Sequence, residues 1–166
     1  MKLQPFHIHT INNGTLSAMA MPNARSLESD LQALGNTGID KILCLLEEAE
    51  SQQLGLQNQP SLTEKTGMEF QRFPIPDYGV PDFLDLQILI TQIRRDLEDG
   101  KHLLVHCRGG VGRTGLICSC VLVTTGHNVP DAISIVTSKR GEQVPETPEQ
   151  IDMIIRYAAR NRNRNT

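Results

Sequence analysis

The chain has no tryptophan and no apolar run approaching the roughly 18 residues that a membrane-spanning helix needs. It also has no surplus of positive charge: 16 lysines and arginines stand against 19 aspartates and glutamates, for a formal net charge of −3. Such a balance gives no general attraction to nucleic acid or to an anionic membrane, and neither is expected as a partner. A disulfide framework is missing as well. Cys44, Cys107, Cys118 and Cys120 lie in apolar runs or in a loop rather than at framework spacings, which suits a reducing compartment. Met1-Lys2-Leu3-Gln4-Pro5 leads into polar sequence and not into the apolar core of a secretory signal. These absences point to a soluble cytoplasmic protein, expected to be a monomer. With 166 residues there is enough chain for one hydrophobic core and little for two. A single domain is therefore expected over residues 1–160, followed by a basic flexible tail at 161–166.

What is present centres on Lys101 to Gly126, KHLLVHCRGGVGRTGLICSCVLVTTG. An apolar run of strand length ends at His106. A glycine-rich loop follows, and then a helix-length apolar segment, Leu116 to Val123, that stops at Gly126. A strand feeding such a loop into a helix is an anion site, because successive backbone N–H groups converge there and the helix N-terminus adds partial positive charge.

Three readings of that loop compete. Gly110-Val111-Gly112-Arg113-Thr114-Gly115 fits the dinucleotide fingerprint, but the acidic residue that should end a second strand about 20 positions on is missing. A nucleotide P-loop requires lysine after its closing glycine, where Leu116 stands. The third reading rests on Cys107 and Arg113. At the mouth of an anion nest and a helix N-terminus the thiolate of a cysteine is favoured, which makes it a nucleophile. Arg113 can present a planar fork to two oxygens of a phosphoryl group and hold charge as it spreads in the transition state. The Thr114 hydroxyl can donate to the cysteine sulfur. The alternative is a buried structural cysteine beside a surface arginine.

His106-Cys107-Arg108-Gly109-Gly110-Val111-Gly112-Arg113-Thr114-Gly115 resembles the H-C-x5-R-[ST] signature of the cysteine-dependent tyrosine and dual-specificity phosphatases. The resemblance implies that Cys107 is the nucleophile, Arg113 the phosphate clamp and Thr114 the hydroxyl that aids release. It further implies that Arg108, Gly109, Gly110, Val111, Gly112 and Arg113 bind the substrate phosphate.

Expulsion of an alkoxide or phenoxide from phosphorus needs a proton donor opposite the cysteine. Pro76-Asp77-Tyr78-Gly79-Val80-Pro81 resembles the general-acid loop of the same phosphatases, W-P-D-x-G-V-P, with Ile75 in place of the tryptophan. It makes Asp77 the acid, although an ordinary turn with an exposed aspartate also fits. Asp82 is the rival, and capping of the helix that starts at Phe83 accounts for it.

In chain order, Phe6 to Met21 reads as two strands turning at Asn12-Asn13-Gly14. Ser26 caps a helix to Leu34. Ile39–Leu46 is a buried strand, 47–54 a short helix, 55–67 a polar loop and Met68–Ile75 a strand. A helix ends near Gly100, and another opens at Pro130. His7 and His9 share a strand face, and an exposed edge explains them better than a metal. Thr147-Pro148-Glu149-Gln150 opens the last helix as a capping box. The phosphatase resemblance offers Gln150 a second role, placing the hydrolytic water. No metal and no cofactor are expected. Alternating strands and helices imply an α/β fold, a mainly parallel central sheet flanked by helices on both faces, and the resemblance places the signature loop at its carboxyl edge.

The implied activity is hydrolysis of phosphotyrosine and phosphoserine/threonine monoesters through a phosphocysteine intermediate. The surroundings of Asp77 look most like the small dual-specificity branch that contains the cyclin-dependent kinase-associated phosphatase. That resemblance makes a phosphoprotein, including a phosphorylated kinase, the expected partner. Phosphoinositides, inositol phosphates and RNA 5′ ends are alternative substrates, and a non-catalytic phosphate-binding module is a further alternative. Cys44, on a strand expected beside the signature loop, is a candidate disulfide partner for oxidised Cys107.

Overall fold

The computed structural model describes residues 3–163. Five strands form one sheet: β1 (Phe6–Ile11), β2 (Gly14–Met19), β3 (Lys41–Cys44), β4 (Glu69–Arg72) and β5 (His102–His106), in spatial order β1-β2-β5-β3-β4. β1 and β2 are antiparallel and join through Asn12 and Asn13, with Asn12 taking the left-handed φ of 51° that such a tight turn needs. The other three pairings are parallel. Met19 and Cys44 both lie opposite His106, and Arg72 lies opposite Cys44, so the parallel strands end along one carboxyl edge.

Among the described residues seven α-helices cover the sheet: α1 (Leu27–Gly35), α2 (Glu48–Gln53), α3 (Gln59–Lys65), α4 (Phe83–Glu98), α5 (Gly112–Thr124), α6 (Val129–Arg140) and α7 (Pro148–Arg162). Strand residues alternate between two hydrophobic clusters, as the period of a strand requires. Leu43, Leu45, Leu103 and Val105 pack with residues of α4, α5 and α7. Ile42, Cys44, Leu46 and Leu104 pack on the other face with Leu27, Leu31 and Leu34 of α1. Every residue of α5 from Gly112 to Leu122 is buried, so this helix is enclosed on all sides. None of the described helices is long and apolar enough to cross a membrane.

The structure departs from the sequence expectations in three places. Within 55–67, α3 forms where a loop was expected. Its inward side is polar, with Gln59 and Thr63 buried four residues apart, so no apolar period announces it. The last helix continues to Arg162, because Tyr157 and Ala158 are buried and Arg156 stacks over the Phe83 ring at 5.0 Å. Residues 161 and 162 are thus helical, while 164–166 of the expected tail lie outside the described residues. Ser26 occupies the N-cap position of α1, but its hydroxyl donates to Asp30 Oδ2 at 3.0 Å instead of capping.

Asp82 caps α4 by accepting from the backbone N–H groups of Leu84 (2.9 Å) and Asp85 (3.1 Å). Asp82→Ala should therefore cost about 0.5–2 kcal/mol of stability, read as a lower urea midpoint with an unchanged m-value. An unaltered midpoint would show that the cap contributes nothing.

Candidate active site

β5 carries Cys107 to the carboxyl edge, and the chain then turns through 108–111 into α5. The turn is held from outside. Arg140, at the end of α6, donates through its guanidinium to Gly109 O and Gly110 O, both at 2.9 Å, and Met21 N donates to Arg108 O at 3.1 Å. Because a trans peptide points its C=O and N–H in opposite directions, the Gly110 and Val111 N–H groups are turned inward. Gly110 N donates to Cys107 Sγ at 3.2 Å. Gly110 has φ 68°, and a Cβ there would lie 2.4 Å from Met19 O, so glycine is required at this point. Arg140 is itself clamped over the Phe6 ring at 4.5 Å.

Arg113 is 2% exposed. Its fork meets both carboxylate oxygens of Glu50, at 2.8 and 3.0 Å, while Nη1 also donates to Ile75 O at 3.0 Å. Nη2 lies 3.1 Å from Asp77 Oδ1. Burial opposes the guanidinium charge, but the hydrogen bonds to Glu50 and the nearby anions outweigh it and hold the group cationic. The same hydrogen bonds from Arg113 bring the Glu50 carboxyl below its usual range against the effect of partial burial.

The loop carrying Asp77 is stiffened by Gly79 N donating to Pro76 O at 2.8 Å, and Tyr78 adopts the left-handed φ of 59° that few side-chain-bearing residues take. Gln150 fastens this loop to α7. Its Oε1 accepts from Glu146 N (3.0 Å) and Thr147 N (3.2 Å), and its Nε2 donates to Gly79 O (3.2 Å). The capping box is therefore real. Both acceptor positions of Oε1 are spent on backbone, while Nε2 has a second N–H beyond the one given to Gly79.

Asp77, Tyr78, Cys107, Arg108, Gly109, Gly112, Arg113 and Glu146 line one cavity of about 410 Å³. The structure thus assembles residues from three separated stretches. One expectation is not met: Thr114 Oγ1 is buried without a hydrogen-bond partner, so its bond to the cysteine sulfur is absent. Cys44 does lie on the strand beside β5, opposite His106, but its side chain belongs to a different hydrophobic cluster from Cys107, and burial raises its thiol pKa. Cys118 shares the cluster of Cys107, and burial pushes its thiol up to about 12. Sequence reasoning missed Glu50, Arg140 and Glu146. The first two are polar residues on short or terminal helical turns, where only the fold shows that they face inward.

His106 is fully buried. Its Nδ1 donates to Cys107 O at 3.1 Å, and its Nε2 accepts from Gln59 Nε2 at 2.8 Å, a pattern that requires the neutral ring. Burial lowers its pKa from 6.5 to about 4.

An α/β sheet with an anion nest, a cysteine and an arginine at its carboxyl edge is the framework of a phosphatase domain. Residues 6–163 match the family model of the Swiss Army Knife protein DSP-PTPase phosphatase domain, PTP-SAK, and the chain belongs to that family. Cyclin-dependent kinase inhibitor 3 of Rattus norvegicus is 25% identical over 132 residues, 78% of this chain and 62% of that protein. The chain therefore spans about three fifths of the length of that relative. The fold is shared with kinase associated phosphatase bearing serine for its catalytic-site cysteine, at TM-score 0.82 and 22% identity, covering 88% of this chain and 86% of the other. It is shared too with PTPMT1 in complex with PI(5)P, at TM-score 0.77 and 18% identity, covering 95% and 98%.

His106 and Glu50 should make stability depend on pH in two windows. The unfolded chain protonates His106 before the folded one does. Its contribution is thus complete above pH 6.5 and falls by about 3 kcal/mol as pH drops toward about 4. Glu50 has a depressed folded pKa, so its contribution is present above 4.5 and is lost as pH falls through the folded value. Urea unfolding at about pH 7.5, 6 and 4.5 should show declining stability in wild type and a much flatter profile in His106→Gln. A wild-type profile flat across that range would contradict the buried neutral ring.

Proposed function

We propose that the chain is a phosphoprotein phosphatase that works through a phosphocysteine intermediate. The observation that carries this reading is the meeting of Cys107 Sγ, the Arg113 fork and the Asp77 carboxylate in one cavity beneath inward-facing backbone N–H groups. In the first transfer the Cys107 thiolate attacks phosphorus, and the N–H groups of the nest and Arg113 hold the phosphoryl oxygens. The ester bond breaks, and Asp77 gives its proton to the departing oxygen. Phosphate entering the nest replaces Asp77 as a partner of Arg113, which frees the carboxyl for this work. Water then cleaves the S–P bond, and phosphate leaves.

The wall chemistry favours a monophosphate carried on protein. Beyond Arg113 the cavity has Arg108 as its one further cation, offset by the exposed Glu146, and Val111 of the loop is apolar. A phosphorylated kinase is the partner to try first, in view of the relatives named after kinases. PTPMT1, whose structure contains PI(5)P, motivates a second reading in which a phosphoinositide is the substrate. We place the activity in the cytoplasm and expect a monomer that needs no cofactor.

Cys107→Ser should abolish turnover while phosphate still binds, and Arg113→Lys should weaken both, because a point charge cannot replace the fork. Asp77→Asn should slow phosphopeptides by about 10²–10⁴-fold and spare aryl phosphates with good leaving groups, with Asp82→Asn as the silent control. Turnover by Cys107→Ser near the wild-type rate would sink the mechanism. A kcat/KM higher for PI(5)P than for phosphopeptides would replace the substrate class and keep the chemistry.

A further inference from the structure

The charges of the cavity do not balance, and under the phosphoprotein reading, on which this inference rests, the imbalance specifies a feature of the substrate. Arg108 and Arg113 supply two positive charges. Glu50 already takes both ends of the Arg113 fork, at 2.8 and 3.0 Å, and the reaction needs Cys107 as its thiolate. Glu146 adds a third negative charge on the wall. With Asp77 protonated as the acid, the site is thus negative before the substrate enters, and a phosphate monoester brings about two negative charges more. The N–H groups of the nest and the start of α5 offset part of this as partial charges. A full cation is still missing.

Glu146 is the carboxylate of the cavity left without a counter-charge. It forms no ion pair among the described residues, whereas Glu50 and Asp77 both meet Arg113. Its backbone is held in place. Its N–H donates to Gln150 Oε1 at 3.0 Å, and two residues earlier the buried Val144 gives its N–H to Thr137 Oγ1 at 3.2 Å. A Cβ on Gly112 would fall 2.5 Å from Glu146 Oε2, so the carboxylate lies against the first residue of α5, on the wall of the cavity that holds Cys107. There it repels a substrate that carries a second negative group and attracts one that carries a positive group. Glu146 is exposed, so a substrate side chain arriving from solvent can reach it. We infer that Glu146 is a specificity-determining residue, which selects phosphorylated sites with a lysine or arginine within two residues and discriminates against acidic flanks. Successive Cα atoms are about 3.8 Å apart, so such a neighbour starts within roughly 8 Å of the phosphorylated residue, and its long side chain can bring the missing cation to the wall.

The test is a set of phosphopeptides of one core sequence, with alanine, arginine or glutamate at each of the two positions on either side of the phosphorylated residue, assayed at low and at high salt. At low salt the best arginine peptide should exceed its alanine parent in kcat/KM by about 3- to 5-fold, and glutamate at the same position should fall below the parent. High salt screens the attraction and should shrink the preference. Glu146→Gln should bring the three peptides to within about twofold of one another, and Glu146→Lys should reverse their order. Equal kcat/KM for the three peptides in wild type, a preference independent of salt, or a wild-type preference kept in Glu146→Gln would each overturn the role of Glu146 and leave the phosphatase reading intact. Turnover of PI(5)P with none of these peptides hydrolysed would instead overturn the phosphoprotein reading, and the inference with it.

Discussion

The ion pair between Arg113 and Glu50 is the constraint on which the site depends. A guanidinium 2% exposed at the start of an enclosed helix is stable only if its charge is met with good geometry, and both Glu50 oxygens meet it at 2.8 and 3.0 Å. The pair draws α2 against the carboxyl edge of the sheet. It also points the remaining donor capacity of Arg113 toward the cavity, where Asp77 now takes part of it. Loss of Glu50 would leave a buried cation free to choose other partners, and the fork would no longer be aimed before a phosphate arrives.

The second constraint is the orientation of peptides in the signature loop. A nest works only if consecutive carbonyls face away from it and find donors elsewhere. Arg140 supplies those donors to Gly109 and Gly110, and Met21 supplies one to Arg108. The loop is thereby tied to α6 and to the end of β2, both remote in sequence. The loop carrying Asp77 is tied in a similar way by Gln150, whose amide joins the cap of α7 to Gly79. Binding geometry thus depends on residues that touch no substrate.

Much of this was legible in the sequence, for particular physical reasons. Cys107 and Arg113 stand in one local loop between a strand and a helix, so their spacing is meaningful before any tertiary contact is known. Asp77 was singled out by the resemblance of Pro76-Asp77-Tyr78-Gly79-Val80-Pro81 to an acid loop, and the structure places it on the same cavity as Cys107 and Arg113. The mainly parallel character of the sheet followed from the alternation of strand-length and helix-length runs, whereas the strand order β2-β5-β3-β4 did not. Glu50 and Arg140 were not legible, because their partners lie 63 and about 30 residues away and no periodicity marks an inward-facing charge. α3 escaped because its buried side is polar. Gln150 was half legible: the capping box is local, whereas its bond to Gly79 spans 71 residues.

The central claim is that phosphate passes through the sulfur of Cys107. The most direct measurement is rapid acid quench of the enzyme with a ³²P-labelled phosphopeptide, followed by proteolysis and mass spectrometry of the labelled fragment. The account predicts one labelled site, a thiophosphate ester on Cys107, formed faster than free phosphate accumulates. Phosphate released with no labelled protein at any quench time, or label on another residue, would contradict it.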